Sequence, residues 1–151
     1  MSENAMAADN QQERLDNEWI AGFVDGEGCF HVAINKQPKM RQKLQVLPEF
    51  RVVQHERDEA ILNQMKNTFG CGNVVVNHGE RKELRVRGLE NLNRIVAFFN
   101  KHELKTTKRE NFKIFAEVIS LMNKGQHLNL RGLRKIAKLA SNMNRKVQRS
   151  I

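Results

Sequence analysis

A chain of 151 residues is long enough for one domain with a genuine core. Lysine and arginine number 26 against 17 aspartates and glutamates, a formal net charge of +9, which argues against basic partners and for a polyanion. No apolar run reaches the length of a membrane span and the N-terminus has no signal-type apolar segment. An intracellular protein is expected, neither secreted nor membrane-bound, in a bacterial cytoplasm or an organelle. The charge is segregated: residues 1–30 carry −6, residues 31–100 carry +5 and residues 101–151 carry +10. The two cysteines, Cys29 and Cys71, lack metal-type pairing and read as reduced thiols in packed positions.

Residues 1–13 are polar and aperiodic, which predicts a flexible leader ahead of a single domain over 14–151. Asp16 or Asn17 can cap a helix running to about Asp25, in which Trp19, Ile20, Phe23 and Val24 form an apolar face that calls for burial. Ala21 and Gly22 carry almost no side chain, and Gly22 and Gly26 stand four apart, so a second helix can approach closely there. Asp25 and Glu27 fall where that helix should stop, between Gly26 and Gly28, which tolerate the positive φ of helix ends.

Residues 29–37 alternate, with Phe30, Val32 and Ile34 on one face and His31, Ala33 and Asn35 on the other, as in a half-buried strand. Residues 36–43, with Pro38, read as a mobile basic turn. Residues 44–54 resume the alternation, with Leu44, Val46, Phe50 and Val52 inward and Gln45, Glu49 and Arg51 outward; Pro48 predicts a bulge or an edge position. A short helix follows, with Ile61, Leu62, Met65 and Phe69 apolar, Asp58 as its cap and Gly70 as its stop. A second hairpin flanks His78, Gly79 and Glu80, with Leu84 and Val86 on one face and Glu83, Arg85 and Arg87 on the other. Three helices complete the chain, marked by Leu92, Ile95 and Phe99, by Phe112, Phe115, Ile119 and Met122, and by Leu133, Ile136, Ala140 and Met143.

This order predicts an α+β fold, αββαββα with additional C-terminal helices, in which helices cover one face of an antiparallel sheet. The other face is left open. Asn35, Gln45, Arg51, Asn77, Arg85 and Arg87 would line it, the side chains that read base edges in a DNA major groove. Lys36, Lys39, Arg41, Arg81 and Lys82 in the loops would seek phosphates. Any one of these residues also suits an ordinary solvated surface; the shared face is what points to nucleic acid. The basic C-terminal stretch, including Lys124, Arg131, Arg134, Lys135, Lys138, Arg145 and Lys146, would grip a duplex backbone or simply solubilise a helix.

Two carboxylates at a helix C-terminus oppose the macrodipole, so a cation is expected beside Asp25 and Glu27. A hard divalent ion with oxygen ligands fits, Mg2+ being the usual choice beside phosphate. An ordinary solvated acidic turn has the same residues.

The nine residues I-A-G-F-V-D-G-E-G at 20–28 resemble the signature of the LAGLIDADG homing endonucleases, in the small pair, the two acids and the closing glycine. The element order resembles one half of that fold, a motif helix followed by two hairpins forming a saddle. Phe50-Arg51-Val52-Val53-Gln54 resembles the family segment whose closing Gln positions the attacking water, and Leu104-Lys105-Thr106-Thr107-Lys108 resembles its L-x-T-x-K segment, which supplies a lysine beside the scissile phosphate.

The resemblance implies a site-specific nuclease making staggered double-strand breaks in a long, roughly palindromic target by metal-dependent hydrolysis. Glu27, with Gly26, would bind Mg2+, for which Mn2+ would substitute; Asp25 would shape the helix end, Gln54 would orient water, and Lys108 or Lys105 would steady the charge. Many family members have Asp where Glu27 stands. His31 would touch DNA, and no organic cofactor is expected. Only one acidic helix is present, so the chain should form a homodimer through Ala21 and Gly22, or be half of a longer protein. Two other functions keep the same scaffold: an intron maturase that assists RNA splicing, and a DNA-binding regulator without catalysis.

Overall fold

A computed structural model of the protein describes residues 15–144. The expected leader over 1–13, and Arg145 and Lys146, lie outside the described residues. The elements are α1 (Asn17–Glu27), β1 (Gly28–Lys36), β2 (Leu44–His55), α2 (Glu59–Phe69), β3 (Asn73–His78), β4 (Arg81–Val86), α3 (Leu89–Lys101), α4 (Lys108–Asn123) and α5 (Leu130–Ser141). This is the expected αββαββα order with two further helices, in an α+β fold.

The four strands form one antiparallel sheet in the order β1-β2-β4-β3. Strand alternation sends Phe30, Val32, Val46, Phe50, Val52, Leu84 and Val86 to the helix-covered face, where all are buried. Phe30 is the hub, with ring centroids 5.1 Å from Phe50, 5.7 Å from Phe99, 5.4 Å from Phe112 and 5.2 Å from Phe115. One ring from β1 thus joins β2, α3 and α4, and burying each such ring contributes about 2 kcal/mol. Helices α4 and α5 bury Phe115, Ile119, Leu133 and Ile136 in the same core.

Pro48 sits in β2 without a register shift, opposite Val32. Beta4 pairs with β2 only from Phe50 onward, so the second edge of β2 is open at Pro48 and no ladder donor is lost there. Gly70 ends α2 with φ +74, as expected. No described helix is long and apolar enough to cross a membrane.

Helix α1 departs from its expected form in two ways. It runs through Gly26 to Glu27, and Gly28 leaves it with φ −82 and ψ 164, so neither glycine serves as a positive-φ stop. Gly28 is required for space instead: a Cβ there would lie 2.6 Å from Val24 Cγ1 and 3.0 Å from the Val24 carbonyl oxygen. The apolar face also divides. Ile20, Ala21 and Val24 are buried, whereas Trp19 is 45% exposed and stacks on the half-buried Phe23 at 5.0 Å. Ala21 faces the chain's own core, not an outer helix contact as expected.

Candidate active site and nucleic-acid interface

Asp16 caps α1, accepting hydrogen bonds from the backbone N–H groups of Glu18 (2.7 Å) and Trp19 (3.3 Å). Nine and eleven residues later, at its other end, the helix delivers two acids with opposite surroundings. Both oxygens of Asp25 are occupied. Oδ2 accepts the Lys105 backbone N–H at 2.7 Å, while Oδ1 accepts the Thr106 backbone N–H at 3.1 Å and the Thr106 hydroxyl at 2.8 Å. Burial raises the Asp25 pKa, but these hydrogen bonds and the Lys108 charge outweigh it and leave the carboxyl below its usual value. Glu27 is exposed and makes no hydrogen bond or ion pair with any described residue.

The 104–108 segment therefore docks on the end of α1 through Asp25. That docking brings the Lys108 amine to the last turn, where Nζ donates to the Val24 carbonyl oxygen at 3.2 Å. Lys105 touches Asp25 only through its backbone, and its side chain is exposed. Beta1 pairs Gly28 with Val52, so Gln54, two residues further along β2, lies level with the end of α1 and opposite Lys82. Glu27, Gln54 and Lys108 thus come from three separate elements to one end of the motif helix.

The fit of these residues to a divalent ion rests on their donors. Glu27 offers an uncommitted hard carboxylate, whereas Asp25 has no oxygen to spare. Among the described residues no group of three His, Cys, Asp or Glu side chains is placed to hold a metal. The exposed side of α1 carries Trp19, Gly22, Phe23 and Gly26 at helical spacing, and a Cβ on either glycine would meet nothing within 4 Å in the chain.

On the open sheet face, Asn35 stands opposite Gln45, His31 opposite Glu49, and Arg51 opposite Arg85, as alternation predicts. Lys36, Lys39, Arg41 and Arg81 are exposed at strand ends and in the loop. The loop is held by backbone hydrogen bonds from Gln37 to Lys43, from Met40 to Gln37 and from Lys43 to Met40.

Lys82 departs from expectation. It lies within β4 with the parity of Leu84 and Val86, so it faces the helix side and pairs with Glu59 of α2 at 3.4 Å. Arg85, Arg87 and Asn77 are not free either. They are bonded to Glu49 and Glu83, two acids on the same face to which composition assigns no partner. In α5, Arg131, Arg134, Lys135 and Lys138 are exposed on the outer side, away from the buried Leu133 and Ile136.

The family sequence model described as LAGLIDADG endonuclease matches residues 20–119. A probable intron-encoded endonuclease of Neurospora crassa is 32% identical over 133 residues, which make up 86% of this chain and 29% of that protein. The chain spans less than a third of the length of such curated fungal relatives. Among solved structures, the homing endonuclease I-TnaI superposes with a TM-score of 0.85 at 47% identity, over 87% of this chain and 89% of that one. I-SmaMI, bound to an uncleaved DNA target in the presence of calcium ions, superposes with a TM-score of 0.85 at 31% identity, over 87% of this chain and 46% of that one.

Proposed function

The chain belongs to the LAGLIDADG endonuclease family, and from that premise we propose that it cuts both strands of a long, roughly palindromic DNA target as a two-fold dimer, using a divalent metal. The observation that carries this reading is the division of labour between two acids: Asp25 is consumed in docking the 104–108 segment, and Glu27 is left free at the helix end. An exposed, uncommitted carboxylate at the helix end where a lysine amine also docks suits metal binding at a phosphate better than it suits fold stability.

Glu27, with the Gly26 backbone beside it, would hold Mg2+ or Mn2+ jointly with a mate's helix. When bound, the ion supplies a water of lowered pKa and neutralises charge on the leaving 3′ oxygen. Gln54 would orient that water through its amide. Lys108, held at the Val24 carbonyl, steadies the phosphate charge, and its geometry favours it over Lys105 for that role.

The dimer face is the strip of Trp19, Gly22, Phe23 and Gly26, where two bare glycines permit backbone-to-backbone approach and two aromatics remain to be covered. The structural likenesses fit such pairing, since the chain spans nearly all of the I-TnaI chain and about half of the I-SmaMI chain. An intron-encoded origin accords with the names of the fungal relatives.

The test is incubation of the purified chain with a duplex library in Mg2+. Staggered double-strand breaks are expected from the parent, and Glu27→Gln should bind the same duplexes without cutting them. Equal cleavage by mutant and parent would remove Glu27 from its role, and binding without cuts in either Mg2+ or Mn2+ would favour a regulator.

A further inference from the structure

The open sheet face carries a continuous row of alternating charge. Arg87 donates from Nε to Glu49 Oε1 at 3.1 Å, and Arg85 Nε lies 3.3 Å from that same oxygen. Arg85 Nε also donates to Glu83 Oε2 at 2.6 Å, while Glu83 Oε1 accepts from Asn77 Nδ2 at 3.0 Å. Five side chains, four from β2, β3 and β4 and Arg87 just past the end of β4, are thereby linked in sequence. The two acids are the buried members, Glu83 at 1% exposure and Glu49 at 7%, although they stand on the face away from the core. A carboxylate withdrawn from water on a polar face is sustained only by charged partners, and here the partners roof it over.

We propose that Glu49 and Glu83 are positioning residues for sequence reading: they hold Arg85 through Nε, and Arg87 through Nε and Nη2 (3.1 Å from Glu49 Oε1), so that the guanidinium amines left over meet guanine edges at set places in the target. The proposal rests on the DNA-binding reading above. Its physical basis is preorganisation. An unrestrained arginine is flexible and seeks any phosphate, whereas one gripped at Nε keeps its fork in one plane, the arrangement that pairs bidentately with guanine. Arg85 makes its hydrogen bond through Nε, which leaves its terminal amines uncommitted among the described residues. Two guanidiniums and two carboxylates also cancel in charge. The row therefore adds discrimination without nonspecific attraction, which falls to Lys36, Lys39, Arg41 and the α5 lysines and arginines.

The experiment measures binding of the intact chain to a partly randomised duplex library in Ca2+, at several salt concentrations, for the parent and for Glu83→Gln, Glu49→Gln and Arg85→Lys. Each glutamine variant should lose roughly tenfold in guanine preference at the positions beneath the row. It should also gain affinity for unrelated DNA and show a steeper salt dependence, because a guanidinium has been released. Arg85→Lys keeps the charge and should lose preference with an unchanged salt slope. A thermal melt identifies any variant that fails to fold, and the remaining variants then decide the matter. Parent-like preference in folded Glu83→Gln and Glu49→Gln overturns the proposal, as does an equal loss of specific and nonspecific affinity. A parent with no base preference overturns the DNA-reading function beneath it, and this proposal with it.

Discussion

Asp25 and Thr106 are joined twice, the carboxylate oxygen Oδ1 accepting both the backbone N–H at 3.1 Å and the hydroxyl at 2.8 Å. They are separated by 81 positions in sequence, so the bond ties the end of α1 to the approach of α4. An acid at a helix C-terminus is opposed by the macrodipole, and three donors from a docked loop offset that penalty. The same contact carries the Lys108 amine to the carbonyl of Val24.

Asp25→Asn should therefore destabilise the fold by about 1–3 kcal/mol at neutral pH, since an amide cannot accept on both sides. The effect depends on pH with a definite sign. The folded Asp25 carboxyl titrates below the reference value of 3.8, so its contribution is complete above that value and is lost as pH falls through the folded pKa. Thermal melts of parent and variant should converge in acid. A gap that stayed constant from about pH 7 to about pH 2 would contradict the assignment.

The two lysines of the 104–108 segment should behave differently. Lys108→Met removes the amine held at Val24 and should slow cleavage roughly 10²- to 10³-fold, the usual effect of losing one donor to a developing anion. Lys105→Met alters an exposed, salt-screened charge and should change the rate by about threefold or less. Single-turnover cleavage rates decide between them, and a reversed order would transfer the role to Lys105.

What the sequence makes legible follows from what each pattern encodes. Period-two alternation places Phe30, Val32, Phe50 and Val52 correctly, because each strand has one wet face and one dry face. Alternation cannot say where a strand begins: a basic pair next to the turn reads as loop, whereas β4 already includes Lys82 and turns it toward Glu59. An apolar helical stripe says that water is avoided, not by what. Ile20 and Val24 avoid it in the chain's own core, Phe23 only half avoids it at the edge of that core, and Trp19 is left exposed. The Arg85 and Glu83 pair is an i, i+2 contact within β4, but its extension to Asn77 of β3 and Glu49 of β2 depends on strands meeting, which no local spacing records. The acids of the motif were legible as a pair, but their separate tasks emerged only with the partners of Asp25.

Gly132→Ala should unseat α5. A Cβ at Gly132 would stand 1.7 Å from the Gln126 carbonyl oxygen, a backbone atom that cannot rotate away. The Gly132 N–H also donates to Asn129 Oδ1 at 2.8 Å, the cap that starts the helix. Overpacking and cap loss together should cost about 3 kcal/mol. The Tm should fall and protease should cut near Leu133 sooner than in the parent; an unchanged Tm would mean that the Gln126 turn relaxes freely.

Gly22→Leu separates the fold of one chain from the pairing of two. In the chain a Cβ at Gly22 meets nothing within 4 Å, so added bulk breaks no internal contact, and removing a mid-helix glycine favours α1 by up to about 1 kcal/mol. Gly28 offers the contrast, since a Cβ there collides with Val24. In the proposed dimer a second helix crossing at Gly22 needs that surface bare, because a leucine would hold the two axes apart and separate the two Glu27 carboxylates proposed to share the metal ions. The variant should melt no lower than the parent at low concentration, sediment as a monomer where the parent is a dimer, and fail to cut. A dimeric, active Gly22→Leu protein would mean that the chains meet elsewhere, and the exposed Trp19 stacked on the half-buried Phe23 would then need a different explanation.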